Sequence, residues 1–304
     1  MFNTEIYLST FIYIILFLLF ITICVLQLGL AVKKRKDRAY YLKYLTLMSS
    51  GLVYNVVEGL LPDKNFGINT MAQNILAWTV GVGVAYYYIM YLKNEYNLTF
   101  FKKISFERIG IFVLLTLIIL FILPYTITQS LETSRQFFPG FFLALLSLAL
   151  FGVFRQQYKK FKKNDHVLFR VHDINGFLSF LGLVSLPATI VVFGDNQLIE
   201  QTCFSFGFLV CSIDFFLYPK RKKIKQERLF NELSSRESEI LTLLLDNPSL
   251  KYSEISNRLN ISEKALSSHL SNIYKKTGIR NKKEIEKLSA SSRELLSMSS
   301  ENLS

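Results

Sequence analysis

Over residues 262–277, Leu266, Leu270, Ile273 and Tyr274 recur at i, i+4, i+7 and i+8, the spacing of one apolar stripe on a helix. The other face carries Lys264, Ser267, Ser268, Ser271 and Lys275, with Lys276 alongside. Serine hydroxyls donate and accept hydrogen bonds and lysine ammonium groups pair with phosphate, so this face has the chemistry of a nucleic-acid reader. A second group of polar residues interrupts long apolar stretches. Asn55, Glu58, Gln73, Asn74 and Glu200 fall near one end of those stretches, and His172, Asp173 and Asp214 fall near the other. Polar groups in hydrocarbon are costly and mark sites, so Asn55, Glu58, Asn74 and Glu200 with Trp78 are the expected ligand pocket. The bland alternative for the same residues is interfacial solvation and ordinary interhelical hydrogen bonding.

Enzymatic chemistry is not expected. The chain has no H-E-x-x-H, no G-x-S-x-G, no nucleotide-binding Gly-rich loop and no paired intramembrane acids at catalytic spacing. Its three histidines leave little acid–base chemistry near neutral pH. Cys24, Cys203 and Cys211 all sit in apolar stretches without metal-ligand spacing, which suits packing residues. No cofactor and no metal is expected.

Short helical patterns position the polar face. Ser234-x-x-Glu237 reads as a capping box, preceded by Leu233 and followed by Ile240, Leu241, Leu243 and Leu244 as a core face. Asp246-Asn247-Pro248-Ser249 stops that helix, because proline lacks an amide donor and restrains the residue before it. A short helix follows near 252–259, with Ile255 and Leu259 inward, and Asn260-Ile261 makes a tight turn. Ser262 is the expected N-cap of the third helix and Gly278 its C-cap. A fourth helix is expected over 281–288, packing through Ile285 and Leu288. Two helices joined by a tight turn, the second with an exposed polar face, form a helix-turn-helix whose second member fits a DNA major groove.

These residues resemble the C-terminal DNA-binding domain of LuxR-type (GerE-type) bacterial transcription regulators. The resemblance is carried by Leu233-Ser-Ser-Arg236-Glu237 with Glu239-Ile240-Leu241, and by Glu254-Ile255-Ser256 with Leu259. It continues through Ile261-Ser262-Glu263-Lys264-Ala265-Leu266, His269 and Asn272-Ile273-Tyr274-Lys275-Lys276, then Gly278-Ile279. It covers about the last fifth of the chain and implies dimeric binding through the fourth helix, with the third in the groove. Carried over, it implies that Lys264, Ser267, Ser268 and Ser271 face bases and phosphates, with Lys275 and Lys276 nearer the backbone. The chain departs from the family at Ala265-Leu266, Thr277 and Lys282, and at Ser267 and Ser271, where members often carry Lys or Arg. Fewer cations mean weaker phosphate neutralisation and a shallower salt dependence.

Half of the 304 residues are hydrophobic, and they are concentrated before residue 219. Seven stretches, approximately 6–32, 40–61, 71–92, 109–127, 137–154, 171–193 and 198–218, are long enough to cross about 30 Å of hydrocarbon as helices. The second is the least apolar, with Lys43, Asn55 and Glu58. Four connecting segments on one side hold twenty-two Lys and Arg, whereas those on the other hold two, Lys64 and Arg135. Basic residues stay on the cytoplasmic side, so the N-terminus is expected outside and the C-terminus inside. Lacking a positive n-region and a cleavage site, the first stretch reads as a retained anchor. The net charge of +12 is therefore mainly a record of topology: residues 229–304 hold eleven Lys and Arg against ten Asp and Glu.

The chain is thus expected to be all-α: a seven-helix transmembrane bundle over 1–218, then a small four-helix helix-turn-helix domain over 233–290. A basic linker, 219–232, joins them, and a Ser-rich tail over 291–304 is expected to be disordered. Fully extended, the linker reaches roughly 50 Å, which keeps the domain near the bilayer. Pro187, with Gly176 and Gly182 before it, marks a possible kink in the sixth stretch. The outer loops are short, so any signal is a small molecule, a lipid, a membrane property or another membrane protein. Expected partners are promoter DNA, membrane lipids and a second copy of the chain, at a bacterial cytoplasmic membrane. The competing reading is a receptor or transporter whose tail recruits a protein rather than DNA.

Overall fold

The computed structural model describes residues 7–33, 37–99, 105–194, 196–231, 233–247 and 250–277. These residues are helical, with no strand among them, and form two compact units, Met1–Leu217 and Tyr218–Ser304. The expected Gly278 cap, the fourth helix over 281–288 and the Ser-rich tail lie outside the described residues.

The first unit is built from α1 (Leu8–Lys33), α2 (Arg38–Leu60), α3 (Thr70–Glu95), α4 (Phe106–Thr128), α5 (Leu131–Lys163), α6 (Val167–Phe193) and, as far as Leu217, α7 (Gln197–Asn231). All of these except α2 are long and apolar enough to cross a membrane. Their outward surfaces are apolar too: α1 exposes Ile12, Ile15, Leu18, Leu19, Leu26 and Leu30. A water-soluble protein rarely exposes so continuous an apolar surface, whereas a bilayer solvates it. Helix α2 is long but more polar, and it turns inward Tyr44, Leu47, Met48, Gly51, Tyr54 and Asn55. Burial among its neighbours lets it tolerate that polarity.

Side-chain caps, rather than hydropathy, set the helix ends. The Asn69 Oδ1 accepts from the Met71 amide, Ser105 Oγ from Arg108, Ser130 Oγ from Thr133, and His166 Nδ1 from Leu168. Helix α5 accordingly runs well past the apolar stretch 137–154. Its polar extension holds the segment after α3: Gln156 Oε1 accepts from the Thr99 amide at 2.8 Å, and Lys160 Nζ donates to the Tyr96 carbonyl at 2.6 Å. Helix α7 likewise passes residue 218, so the stretch 219–231, read from composition as a linker, is helical. At about 1.5 Å per residue it measures roughly 20 Å, less than half its extended length. Within α4, a π-helical turn at Ile118–Ile122 precedes Pro124, whose ring nitrogen has no hydrogen to donate.

An aromatic core joins α1, α2, α3 and α7. Phe17 meets Phe208 edge-on, Tyr88 stacks on Phe208 at 4.4 Å, and Tyr44 stacks on Phe215 at 4.0 Å. The backbones of helices α6 and α7 come close together at two glycines. A Cβ added to Gly182 would lie 2.5 Å from the Gly207 Cα, so any side chain there would force the backbones apart. Gly176 is covered by the Tyr96 ring and the Gln157 amide. The glycines that precede Pro187 in sequence therefore serve close packing. Cys24 and Cys211 are buried, and all three cysteines are free.

The second unit contains α8 (Ser235–Asp246), α9 (Tyr252–Arg258) and α10 (Glu263–Thr277). Its core is Ile240, Leu241, Leu244, Leu245, Ile255, Leu259, Leu266, Leu270 and Ile273. The apolar stripe of α10 closes on α8 and α9 as its periodicity requires.

Candidate nucleic-acid interface and membrane cavity

In the second unit, helix α10 is presented by its two neighbours through their ends. Asn260 adopts the left-handed conformation (φ 50°), which asparagine tolerates better than most residues, and the Ile261 amide returns to the Ser256 carbonyl at 3.0 Å. That tight turn lets Ser262 cap α10, its Oγ accepting from the Ala265 amide at 3.2 Å. The capping box of α8 is complete: Ser234 Oγ accepts from the Glu237 amide, and Glu237 Oε2 accepts from the Ser234 amide at 2.8 Å.

Two side chains then tie the three helices together. Arg236 bridges Glu239 and the Leu259 carbonyl at the end of α9. Lys276 donates to Glu237 Oε2 at 2.6 Å, linking α10 to the start of α8. Glu237 is buried, and its hydrogen bonds from Lys276 and the Ser234 amide hold its carboxyl below the usual carboxylate range. The sequence showed Glu237 as a capping-box residue and Arg236 only as part of a motif. Their tie role depends on residues 23 and 39 positions away, which no local pattern reports.

Lys264, Ser267, Ser268, Ser271, Lys275 and Lys276 are all exposed along α10, opposite the buried Leu266, Leu270 and Ile273. The ammonium group of Lys276 is engaged by Glu237. The remaining face offers three hydroxyls between two lysines, which can hydrogen-bond base edges and pair with phosphate.

In the first unit, a cavity of about 500 Å3 lies among α2 to α7. Of the five residues expected to form a ligand pocket, Glu58, Trp78 and Glu200 line it. Tyr54 lines it too and donates from its hydroxyl to Glu200 Oε1 at 3.0 Å. Trp78 stacks on Phe121 at 4.4 Å and meets Phe138 edge-on. The rest of the wall is apolar, including Phe112, Phe142, Leu186 and Pro187, with Arg108 on the lining near the start of α4.

Asn55 and Asn74 are not on that lining. The Asn55 amide donates to the Gly51 carbonyl and to Ser205 Oγ, and the Asn74 amide donates to the Tyr125 hydroxyl at 2.9 Å. Gln73 clamps the loop after α2, bonding the amide and carbonyl of Asp63. Asn55 and Glu58 share one helix, yet Asn55 faces α7 while Glu58 faces the cavity. Three residues on a helix turn a side chain by about 300°, and that remaining offset separates the two roles.

The second polar group is brought together elsewhere in the bundle. Asp214, fully buried, accepts from the Tyr96 hydroxyl at 2.7 Å and lies 3.1 Å from His172 Nδ1. Asp173 accepts from the Asn164 amide. No cluster of three His, Cys, Asp or Glu able to hold a metal ion occurs among the described residues.

Residues 231–289 match the model of the family described as bacterial regulatory proteins, luxR family. The match covers the whole described helix-turn-helix, and this part of the chain is a luxR-family DNA-binding regulatory domain. No curated protein and no solved structure matches the chain.

Proposed function

We propose that this chain is a membrane-integral, one-component transcription regulator. In this reading α1 to α7 span the bacterial cytoplasmic membrane seven times, with the N-terminus outside and the luxR-family domain in the cytoplasm. A signal received by the bundle alters its packing or pairing, and so sets how two domains pair on promoter DNA. The observation that carries the reading is one chain holding six helices apolar enough for a bilayer together with a luxR-family domain. The basic connecting segments support the orientation, and α2 is the seventh span, shielded by its buried position.

On DNA, Lys264 and Lys275 pair with phosphates, while Ser267, Ser268 and Ser271 meet base edges or backbone. Lys276 acts at one remove, orienting α10 through Glu237. Two cationic contacts from each α10 give modest affinity, and confinement of two domains to one membrane surface compensates by raising their effective concentration.

The deciding experiment maps the chromosomal sites occupied by the full-length protein in its host. It is paired with binding of the purified protein, in phospholipid nanodiscs, to fragments from those sites. Enriched promoters, bound with affinity that falls as salt rises and lost in Lys264→Glu, are expected. Unchanged occupancy and phenotype in Lys264→Glu and Ser268→Glu would instead make the tail a protein-recruiting module.

A further inference from the structure

We propose that the cavity among α2 to α7 binds an amphipathic cation, with its basic group at Glu58 and Glu200 and its apolar body along the aromatic wall. The assignment deepens the sensing role proposed above and rests on it for its regulatory meaning.

Three observations carry it. First, the cavity, at about 500 Å3, has the size of a small-molecule site, typically about 300–1,000 Å3. Second, the acidic part of its lining is gathered at one end. Glu58, near the end of α2, and Glu200, near the start of α7, line it together with Tyr54, whose hydroxyl donates to Glu200 Oε1 at 3.0 Å. Arg108, the only basic lining residue among the described residues, belongs to the opposite end of the bundle, at the first turn of α4. Two carboxylates facing an apolar chamber select a positive ligand group, because charge is strongly felt where water is scarce. Third, Trp78, Phe112, Phe138 and Phe142 supply π faces, which attract cations and pack flat apolar groups. An anionic amphiphile would place its charge against the carboxylates or depend on Arg108 alone.

The chain contains a single tryptophan, and it lines this cavity, so binding has an intrinsic reporter. Full-length protein in phosphatidylcholine nanodiscs is titrated with dodecylamine, dodecanol and dodecanoate, and Trp78 emission is followed. Dodecylamine is expected to shift the emission saturably, with an apparent Kd about tenfold or more below that of either other probe. Glu58→Gln and Glu200→Gln together should erase that preference, bringing the apparent Kd for dodecylamine to that for dodecanol. Ala85→Phe, which fills the chamber, should abolish saturable binding of all three.

Equal, non-saturating responses to the three probes would reduce the effect to membrane partitioning and overturn the proposal. A preference for dodecanoate that disappears in Arg108→Gln would overturn it in favour of an anionic ligand. The wild-type probe order decides the charge class even if a variant fails to fold. No DNA is present, so failure here leaves the regulator reading standing, and loss of DNA binding leaves this one standing.

Discussion

At the residue scale, the second unit depends on side chains that bond within it. Lys276 has the composition of a phosphate contact, yet its ammonium bonds the buried carboxylate of Glu237. Lys276→Met should therefore lower the melting temperature of the luxR-family domain as well as DNA affinity, and circular dichroism would separate the two effects. The same pair predicts an acid dependence. Because the folded-state pKa of Glu237 is depressed, its stabilisation is full above the unfolded carboxylate value of about 4.3. It is lost as pH falls through the lower, folded value. Thermal melts below about pH 4 should show this loss, and the slope should be shallower in Lys276→Met. On the exposed face, Ser267→Lys adds a cation where none is tied up. The log–log salt slope of DNA binding should steepen by about 0.9 per added phosphate contact, as read by fluorescence anisotropy.

At the element scale, Gly182 and Gly207 set the distance between α6 and α7. Gly182→Leu should destabilise the bundle by more than the roughly 1–3 kcal/mol of ordinary overpacking, because backbone rather than a movable side chain stands in the way. Gly83→Ala is the internal control: nothing lies within 4 Å of an added Cβ, and helix propensity favours alanine by about 0.5–1 kcal/mol. Thermal stability in detergent would rank wild type between the two. The elements themselves were largely legible in the sequence, because a membrane-length apolar run and an i, i+3, i+4 stripe are local signals. Their ends were less so. The polar extension of α5 is helical because Gln156 and Lys160 hold the 96–99 segment, through contacts between residues 57 and 64 positions apart. The polar residues of the bundle show the same limit. Hydropathy identified Asn55, Glu58, Asn74, Trp78 and Glu200 as a group, but only the arrangement of six helices separates the cavity wall from Asn55 and Asn74.

At the scale of the whole molecule, composition divides along the chain as the two units do. The apolar surface belongs to the first, and the near-neutral second carries the luxR-family fold. The proposed orientation makes a direct prediction. A fluorescent protein fused after Ser304 should mature and emit, whereas alkaline phosphatase at the same position should be inactive. The reverse pattern would place the luxR-family domain where no chromosome is available.

The crossing of Gly182 and Gly207 also has a mechanical meaning. Side chains between helices act as compliant spacers, since a rotamer change can absorb a small displacement. Between these two backbones no such cushion exists, and the Tyr88 hydroxyl, donating to the Ser179 carbonyl, braces the same crossing from α3. Over the next two turns of α6, Leu183, Leu186, Pro187 and Ile190 form cavity wall, and α7 contributes Glu200. Pressure on that wall therefore reaches a crossing where backbone meets backbone, with no side chain between α6 and α7 to yield.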